Sequence, residues 1–374
     1  MGGIMGEDLD IIIKNIDEFS KKYIEPNAKK IDLEDHIPDE LFDMFYEYGL
    51  LTLRAEEKYG GINADMKTML EILKVISFYS GGVGLSIEAH NSLGLEHVMK
   101  FGSEEQKKEV LENIKKYHRP VAWALTESTS GSDAKNMKTE YKKNGNKYIL
   151  NGSKIFITHG VSSKNIVLMA KGEEGINAFL LDAEVNGIER NKLNDKMGVR
   201  GSDTAQIFLN DVEVDESRVI GKPGEGFKQV LDILIGGRIA ISGVAIGIAK
   251  YALQKSIEYS KERYAFNQRL ADFEGIQFYL AEMATEIRAA ELLAEKAAEL
   301  YDMNIHSRLY SSMAKYKASQ VAMFCSRLAI QIHGGYGYFR DFGIERLLRD
   351  AKLMEIGEGT NEIQKIIISK ELLK

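Results

Sequence analysis

The sequence predicts an α+β chain of three domains, helical at both ends with a β domain between them. Three observations carry that reading. Four prolines stand in 374 residues, at 26, 38, 120 and 223. Average usage would give about nineteen. Proline costs about 3 kcal/mol inside a helix, so the proline-free stretch after Pro223 permits long helices. Apolar residues recur at helical spacing on both sides of a middle segment. Asn-Gly pairs and β-rich runs crowd into that segment, between Pro120 and Pro223. The expected domains are 1–119, 120–225 and 226–374.

In the first domain, 66–79 and 104–117 carry amphipathic spacing. Ser103 precedes the second run and Gln106 follows it by three, a capping-box signature. In the middle domain, Asn144-Gly145 and Asn151-Gly152 suit tight hairpin turns. The runs 147–150, 154–158, 166–170, 178–181 and 205–209 read as strands. In the third domain, 227–253 is apolar nearly all round apart from Arg238, and reads as a buried central helix. Its four glycines, Gly236, Gly237, Gly243 and Gly247, weaken a helix. Packing or ligand access must require them, and the spacing of Gly243 and Gly247 allows close approach of a neighbouring helix. Ile276, Leu280, Met283, Ile287, Ala290, Ala294, Ala297 and Tyr301 form one stripe along a further long helix.

Apolar residues make up 44% and charged residues 28%. That balance excludes a disordered, collagen-like or disulfide-stapled chain. Cys325 has no second cysteine to pair with in the chain, so a reducing compartment is expected. Basic residues number 49 against 56 acidic, a formal −7, which argues against nucleic acid or an anionic membrane as partner. No run of eighteen apolar residues lacks charges, so no membrane insertion is expected. The acidic start lacks the basic region of a signal or transit peptide, and the expected location is cytoplasmic. Gly2 lacks the Ser or Thr of a myristoylation motif at position six, and Met5 is an alternative start. Asn151-Gly152-Ser153 matches a glycosylation sequon inside a hairpin-like segment, where packing is the better reading. His90 and His97 lie seven apart with no third ligand nearby, so they read as packed or solvated histidines and no metal is expected.

Four segments gather small polar groups and glycine: 124–133, with hydroxyls and exposed N–H groups suited to a polar ring edge or a phosphate; 154–160, a strand; 331–338, Gly-rich after a helix; and 355–364, with Glu358 between two glycines. Taken singly, a Ser/Gly loop, a helix end and a turn acid account for them. In this order they resemble the acyl-CoA dehydrogenase family over essentially the whole chain. The resemblance rests on Thr-Glu-x-x-x-Gly-Ser-Asp, Asn-Gly-x-Lys-x-x-Ile-Thr, Met-Gly-x-Arg-x-Ser-x-Thr, Glu-Arg-x-x-Phe, His-Gly-Gly-x-Gly and Glu-Gly-Thr-x-Glu-Ile-Gln.

That resemblance implies FAD, an acyl-CoA substrate, and dehydrogenation to a trans-2-enoyl-CoA. Glu358 is the implied base. Its backbone N–H and a flavin ribityl hydroxyl would polarise the thioester carbonyl. Leu125, Thr126, Ser132, Phe156 and Thr158 would hold the flavin, Phe156 standing where many relatives carry tryptophan. Thr360, Asn361 and Glu362 would border FAD. Arg263, Phe266, Gln331, Ile332, His333, Gly334 and Gly335 would reach FAD across a subunit boundary, which implies at least a dimer and, by family habit, a homotetramer. Ser132, Arg238 and Gly359 would face the substrate. Arg238, a lone charge in an apolar helix, also admits a purely structural ion pair. Some relatives place the base on the central helix; Gly236 and Gly237 exclude that here.

Ser128 replaces a common proline, Ile235 an acid that touches CoA, Glu274 a glutamine near the adenosine, and Gly357 a tyrosine beside the base. The last change should open the acyl pocket to branched, cyclic or longer groups. Electron-transferring flavoprotein is the implied electron acceptor. An oxidase passing electrons to O₂ and a non-catalytic flavin-binding relative are the alternatives.

Overall fold

The computed structural model describes residues 6–374. The expectations at Gly2 and Met5 lie outside the described residues. Seven helices come first: α1 (Gly6–Phe19), α2 (Ala28–Glu34), α3 (Asp39–Glu47), α4 (Met66–Tyr79), α5 (Gly81–Ala89), α6 (Glu96–Phe101) and α7 (Glu104–Tyr117). Their starts follow capping chemistry. Asp65 accepts from Thr68 N at α4, and Ser80 from Val83 N at α5. At α7 Ser103 Oγ accepts from Gln106 N at 3.2 Å, and Ser103 N donates to Gln106 Oε1 at 3.0 Å. This is the expected capping box, satisfying two donors that the first turn leaves unpaired. A π-helical turn, His90–Leu95, joins α5 to α6.

The middle of the chain forms β1 (Val121–Ala124), β2 (Glu140–Asn144), β3 (Lys147–Thr158), β4 (Asn165–Gly172), β5 (Gly175–Asp182), β6 (Ile188–Lys192), β7 (Thr204–Asp215) and β8 (Val219–Ile220). They build one sheet in the order β6-β7-β3-β2-β4-β5-β8, with β1 added parallel to β4. Tyr141, Tyr148 and Phe179 pack edge to face in its core. Gly145 turns β2 into β3 at φ +63, as expected. The second Asn-Gly pair does not turn the chain. Residues 147–158 are one strand, and the pairing with β7 slips a register between Leu150 and Gly152. Gly152 there sits at φ +140. A bulge and a hairpin turn both draw on glycine's access to positive φ, so the dipeptide marked the right place and the wrong event.

The last part holds α8 (Gly226–Glu262), a two-strand ribbon of β9 (Tyr264–Ala265) and β10 (Gln268–Arg269), then α9 (Glu274–Asp302), α10 (Arg308–His333), α11 (Gly335–Tyr338), α12 (Ile344–Met354) and α13 (Asn361–Leu372). On α9, Met283 through Tyr301 of the expected stripe are buried, while Ile276 and Leu280 are half-buried. α8 is the central helix, packed by α4, α9 and α10. A Cβ at Gly243 would meet Leu70 O at 2.9 Å, and one at Gly247 would meet Lys74 O at 2.5 Å. Those two glycines let α8 lie against the α4 backbone. By length and composition α8 is apolar enough to cross a membrane, though charges such as Arg238 interrupt it; its apolar stretch is buried inside the protein, as a core helix.

Candidate active site

Glu358 lies in the turn between α12 and α13, with φ +53. A left-handed backbone costs a residue with a Cβ roughly 1–2 kcal/mol, so neighbouring bonds must hold it. Gly357 N donates to Leu353 O at 2.8 Å, and Asn361 N to Glu355 O at 3.0 Å. Gln364 Nε2 donates to Gly359 O at 2.8 Å and to Glu358 O at 3.3 Å. Lys315 Nζ donates to Gly359 O at 2.8 Å. Thr360 caps α13 through Ile363 N. Among the described residues no protein acceptor pairs with the Glu358 N–H.

The Glu358 residue is half-buried, yet both carboxyl oxygens are sealed from solvent and neither has a protein donor. Its Oε2 occupies the space a Cβ at Gly237 would need, and Leu93 Cδ2 would lie 2.8 Å from that Cβ. Burial pushes the carboxyl up to about 7, against the pull of Glu88, Arg238 and Lys315. Glu88, on α5, is fully buried, and Ser92 Oγ lies against its carboxyl. Burial and the Glu358 charge push Glu88 well above the usual carboxylate range. Two like charges buried near one another disfavour ionisation of both. Arg238 is buried, its Nε has no partner, and no carboxylate closes an ion pair with it among the described residues. Desolvation lowers it to about 10, opposed by Glu358 and reinforced by Arg308. The arrangement is a buried carboxyl raised toward neutrality, a second buried acid and two cations, beside a free backbone N–H.

The expected flavin contacts fall in two groups. In the first, Ile155 N donates to Thr126 O at 2.9 Å, stitching the 125–133 loop to β3. Lys154 Nζ, also buried, donates to Leu125 O at 3.1 Å and Glu127 Oε1 at 2.8 Å. Phe156 stands at φ +60 with 65% of its surface exposed, at the second register slip of β3 on β7. Thr158 and Thr126 are half-buried, Leu125 is buried and Ser132 is exposed. An open aromatic face between a hydroxyl-rich loop and a strand end fits a planar ring with polar edges.

In the second group, Arg263, Ile332, His333, Gly334 and Gly335 line one cleft with Tyr336. Phe266 is 91% exposed at φ +51. Gln331 is exposed. The His333 ring is committed to packing, stacked on Tyr259 at 4.3 Å and bonded to Ala329 O at 2.8 Å. None of Leu125, Thr126, Ser132, Phe156 or Thr158 lines this cleft. Of the 360–362 segment, Glu362 is exposed, Thr360 is half-buried, and Asn361 turns its amide inward to Lys315 and Ser319. Gly359 follows Glu358 at φ +92.

Sequence reasoning missed Glu88, Lys315 and Gln364. The one signal for Glu88 was an acid in an otherwise apolar helix. His90 and His97 are packed, as read. His90 meets Leu51 O and Val121 N, and His97 meets Gln229 Oε1 and Trp123 Nε1. Desolvation lowers them to about 3 and 4, so both are neutral. Among the described residues no three His, Cys, Asp or Glu side chains group to hold a metal.

Helical, β and helical parts around a sealed glutamate define the flavoprotein dehydrogenase class to which the sequence motifs point. Family models for the N-terminal, middle and C-terminal domains of acyl-CoA dehydrogenase match residues 6–116, 122–212 and 224–373. An acyl-CoA dehydrogenase of Bacillus subtilis is 40% identical over 365 residues, 96% of each chain. The caffeyl-CoA reductase-Etf complex subunit CarC of Acetobacterium woodii is 35% identical, with 92% of each chain covered. Butyryl-CoA dehydrogenase from Megasphaera elsdenii superposes with a TM-score of 0.94 at 35% identity, covering 100% of both chains. The chain belongs to the acyl-CoA dehydrogenase family.

Proposed function

We propose that the protein removes two hydrogens from an acyl-CoA thioester to give the trans-2-enoyl-CoA, with Glu358 taking the α-proton. The observation that carries this is the sealed Glu358 carboxyl with a pKa raised to about 7. A base near neutrality combines the ionised form with useful basicity. The α C–H is weakly acidic, so charge must be stabilised on the thioester oxygen as the proton leaves. The unpaired Glu358 N–H supplies one donor there. Arg238 and Lys315 favour the carboxylate before transfer.

Leu125, Thr126, Ser132, Phe156 and Thr158 would hold the isoalloxazine of FAD. Bound FAD supplies the acceptor for the β-hydride. Thr360 and Glu362 would border the cofactor. Arg263, whose guanidinium suits a pyrophosphate, would with Phe266 and 331–335 serve the cofactor of a second copy, so the working form is at least a dimer and, by family habit, a tetramer. The separation of the two residue groups supports this reading. Electron-transferring flavoprotein is the proposed partner, supported by the relative named as part of an Etf complex.

Gly357 supports a roomy acyl site. A Cβ there would meet nothing nearer than Leu353 O at 3.5 Å and Ile241 Cδ1 at 3.8 Å. We assign substrates bulkier than a short straight chain. Anaerobic titration of the flavin-loaded protein with a panel of acyl-CoAs tests cofactor, reaction and size together. Bleaching by branched, cyclic or longer acyl-CoAs is expected. Absence of bleaching across the panel would remove the assignment. Glu358→Gln should lower kcat by at least about 10²-fold while flavin stays bound. Undiminished turnover in that variant would leave Glu358 without its role.

A further inference from the structure

Lys315, on α10, is one of the most deeply buried large side chains in the protein. Burying an ammonium is costly unless its charge is used. Two of its three donors go to the segment after the base: Gly359 O at 2.8 Å and Asn361 Oδ1 at 3.2 Å. Ser319, one turn along the same helix, donates to the same Asn361 oxygen at 2.9 Å. α10 therefore grips the chain immediately past Glu358 at two points. The second carbonyl bond, from Gln364, comes from within α13 and cannot fix the turn relative to the bundle. Lys315 can.

We infer that Lys315 is a positioning residue, which holds the Gly359 peptide to α10 and thereby keeps Glu358 in its left-handed conformation with its N–H free and its carboxyl against Gly237. The inference rests on Glu358 being the base. Lys315 also lends charge. The groups facing Glu358 are Glu88 from α5, Arg238 from α8 and Lys315 from α10. Those facing Lys315 are Glu358, Arg238, Glu355 and Glu362, and Arg308 bears on Arg238. With Lys315 removed, one of the two cations favouring the Glu358 carboxylate is lost. The base then ionises at higher pH.

The test is Lys315→Met in the flavin-loaded enzyme, with Lys315→Gln as the variant that keeps a donor and loses the charge. For Lys315→Met, kcat should fall about 100-fold, the scale of a small misplacement at the reacting centre, with KM little changed. In both variants the acid limb of kcat/KM should move up by about one pH unit, as expected for loss of a nearby opposite charge. A 3-thia-acyl-CoA has sulfur in place of the β-carbon and therefore no β-hydride to lose. It reads α-proton removal alone, through flavin charge-transfer absorbance, and that absorbance should develop only at higher pH in the variants. A merely structural lysine would lower Tm or flavin content and leave the acid limb and the analogue titration in place. That result, in whichever variant retains flavin, overturns the inference. The Glu358 assignment is separate: it fails only if Glu358→Gln stays active.

Discussion

Gly237 and Glu358 divide one small space between them: the Oε2 of the glutamate lies too near the position of a Cβ on the glycine for both to stand there. The glycine is thus the steric complement of the Glu358 carboxyl. A side chain on the central helix and a carboxyl from the α12–α13 turn exclude each other at this point.

Gly237→Ala should therefore displace the carboxyl without unfolding α8, since alanine favours a helix over glycine. The expected result is unchanged or raised Tm and a fall in kcat of about 100-fold. Steady-state kinetics beside a thermal melt will show it. Wild-type kcat would mean that the carboxyl does not work from this position.

Glu88 sets the protonation of its neighbour. Its carboxyl favours the ionised form of Glu358, against the burial that raises it. Glu88→Leu removes that influence. The folded base then binds its proton more tightly, and the acid limb of kcat/KM should rise by about one unit. Glu88→Gln keeps a donor but cannot titrate. It should hold the limb near its original place and turn a two-step titration into one step. A pH profile of both variants separates these outcomes.

Gly357→Tyr should narrow the acyl site. The ratio of kcat/KM for a branched or aryl acyl-CoA to that for butyryl-CoA should fall by about tenfold or more, the range a shaped pocket can discriminate. Equal losses for all substrates would point to disturbance of the turn and not to a filled pocket.

Lys154 ties the loop at 125–127 to β3, and burial lowers it to about 8 in spite of Glu127. Lys154→Met strands Glu127, buried and still bonded to Thr139 N at 2.9 Å. Breaking a buried pair from one side costs about 3–5 kcal/mol. Urea unfolding should show that loss, together with weaker flavin retention at equal protein concentration.

Local signals in the sequence were read well where the physics is local. Ser103 and Gln106 are three apart and their bond is a property of one helical turn. The α9 stripe needs only a helical period. The pair Asn151-Gly152 failed because the dipeptide reports a backbone angle and not the event that uses it. Glu358 was singled out through its surrounding motif, and its part in the reaction is proposed on that motif and on its burial. Glu88 and Lys315 carry no such mark: they meet Glu358 from helices far away in the chain, and only the packing of α5, α8 and α10 brings them together. The charges that act on Glu358 are thus a tertiary property.

The length of α8 has a last consequence. Arg238 stands within reach of the Glu358 charge, and Arg263 follows the final turn of the same helix. At 1.5 Å per residue the rod between them spans about 36 Å. The two groups of proposed contacts therefore stand at opposite ends of one helix. On the proposed reading, each chain measures out the distance between its own reacting centre and a neighbour's cofactor, so an isolated copy would carry half of each of two sites and a whole one of neither.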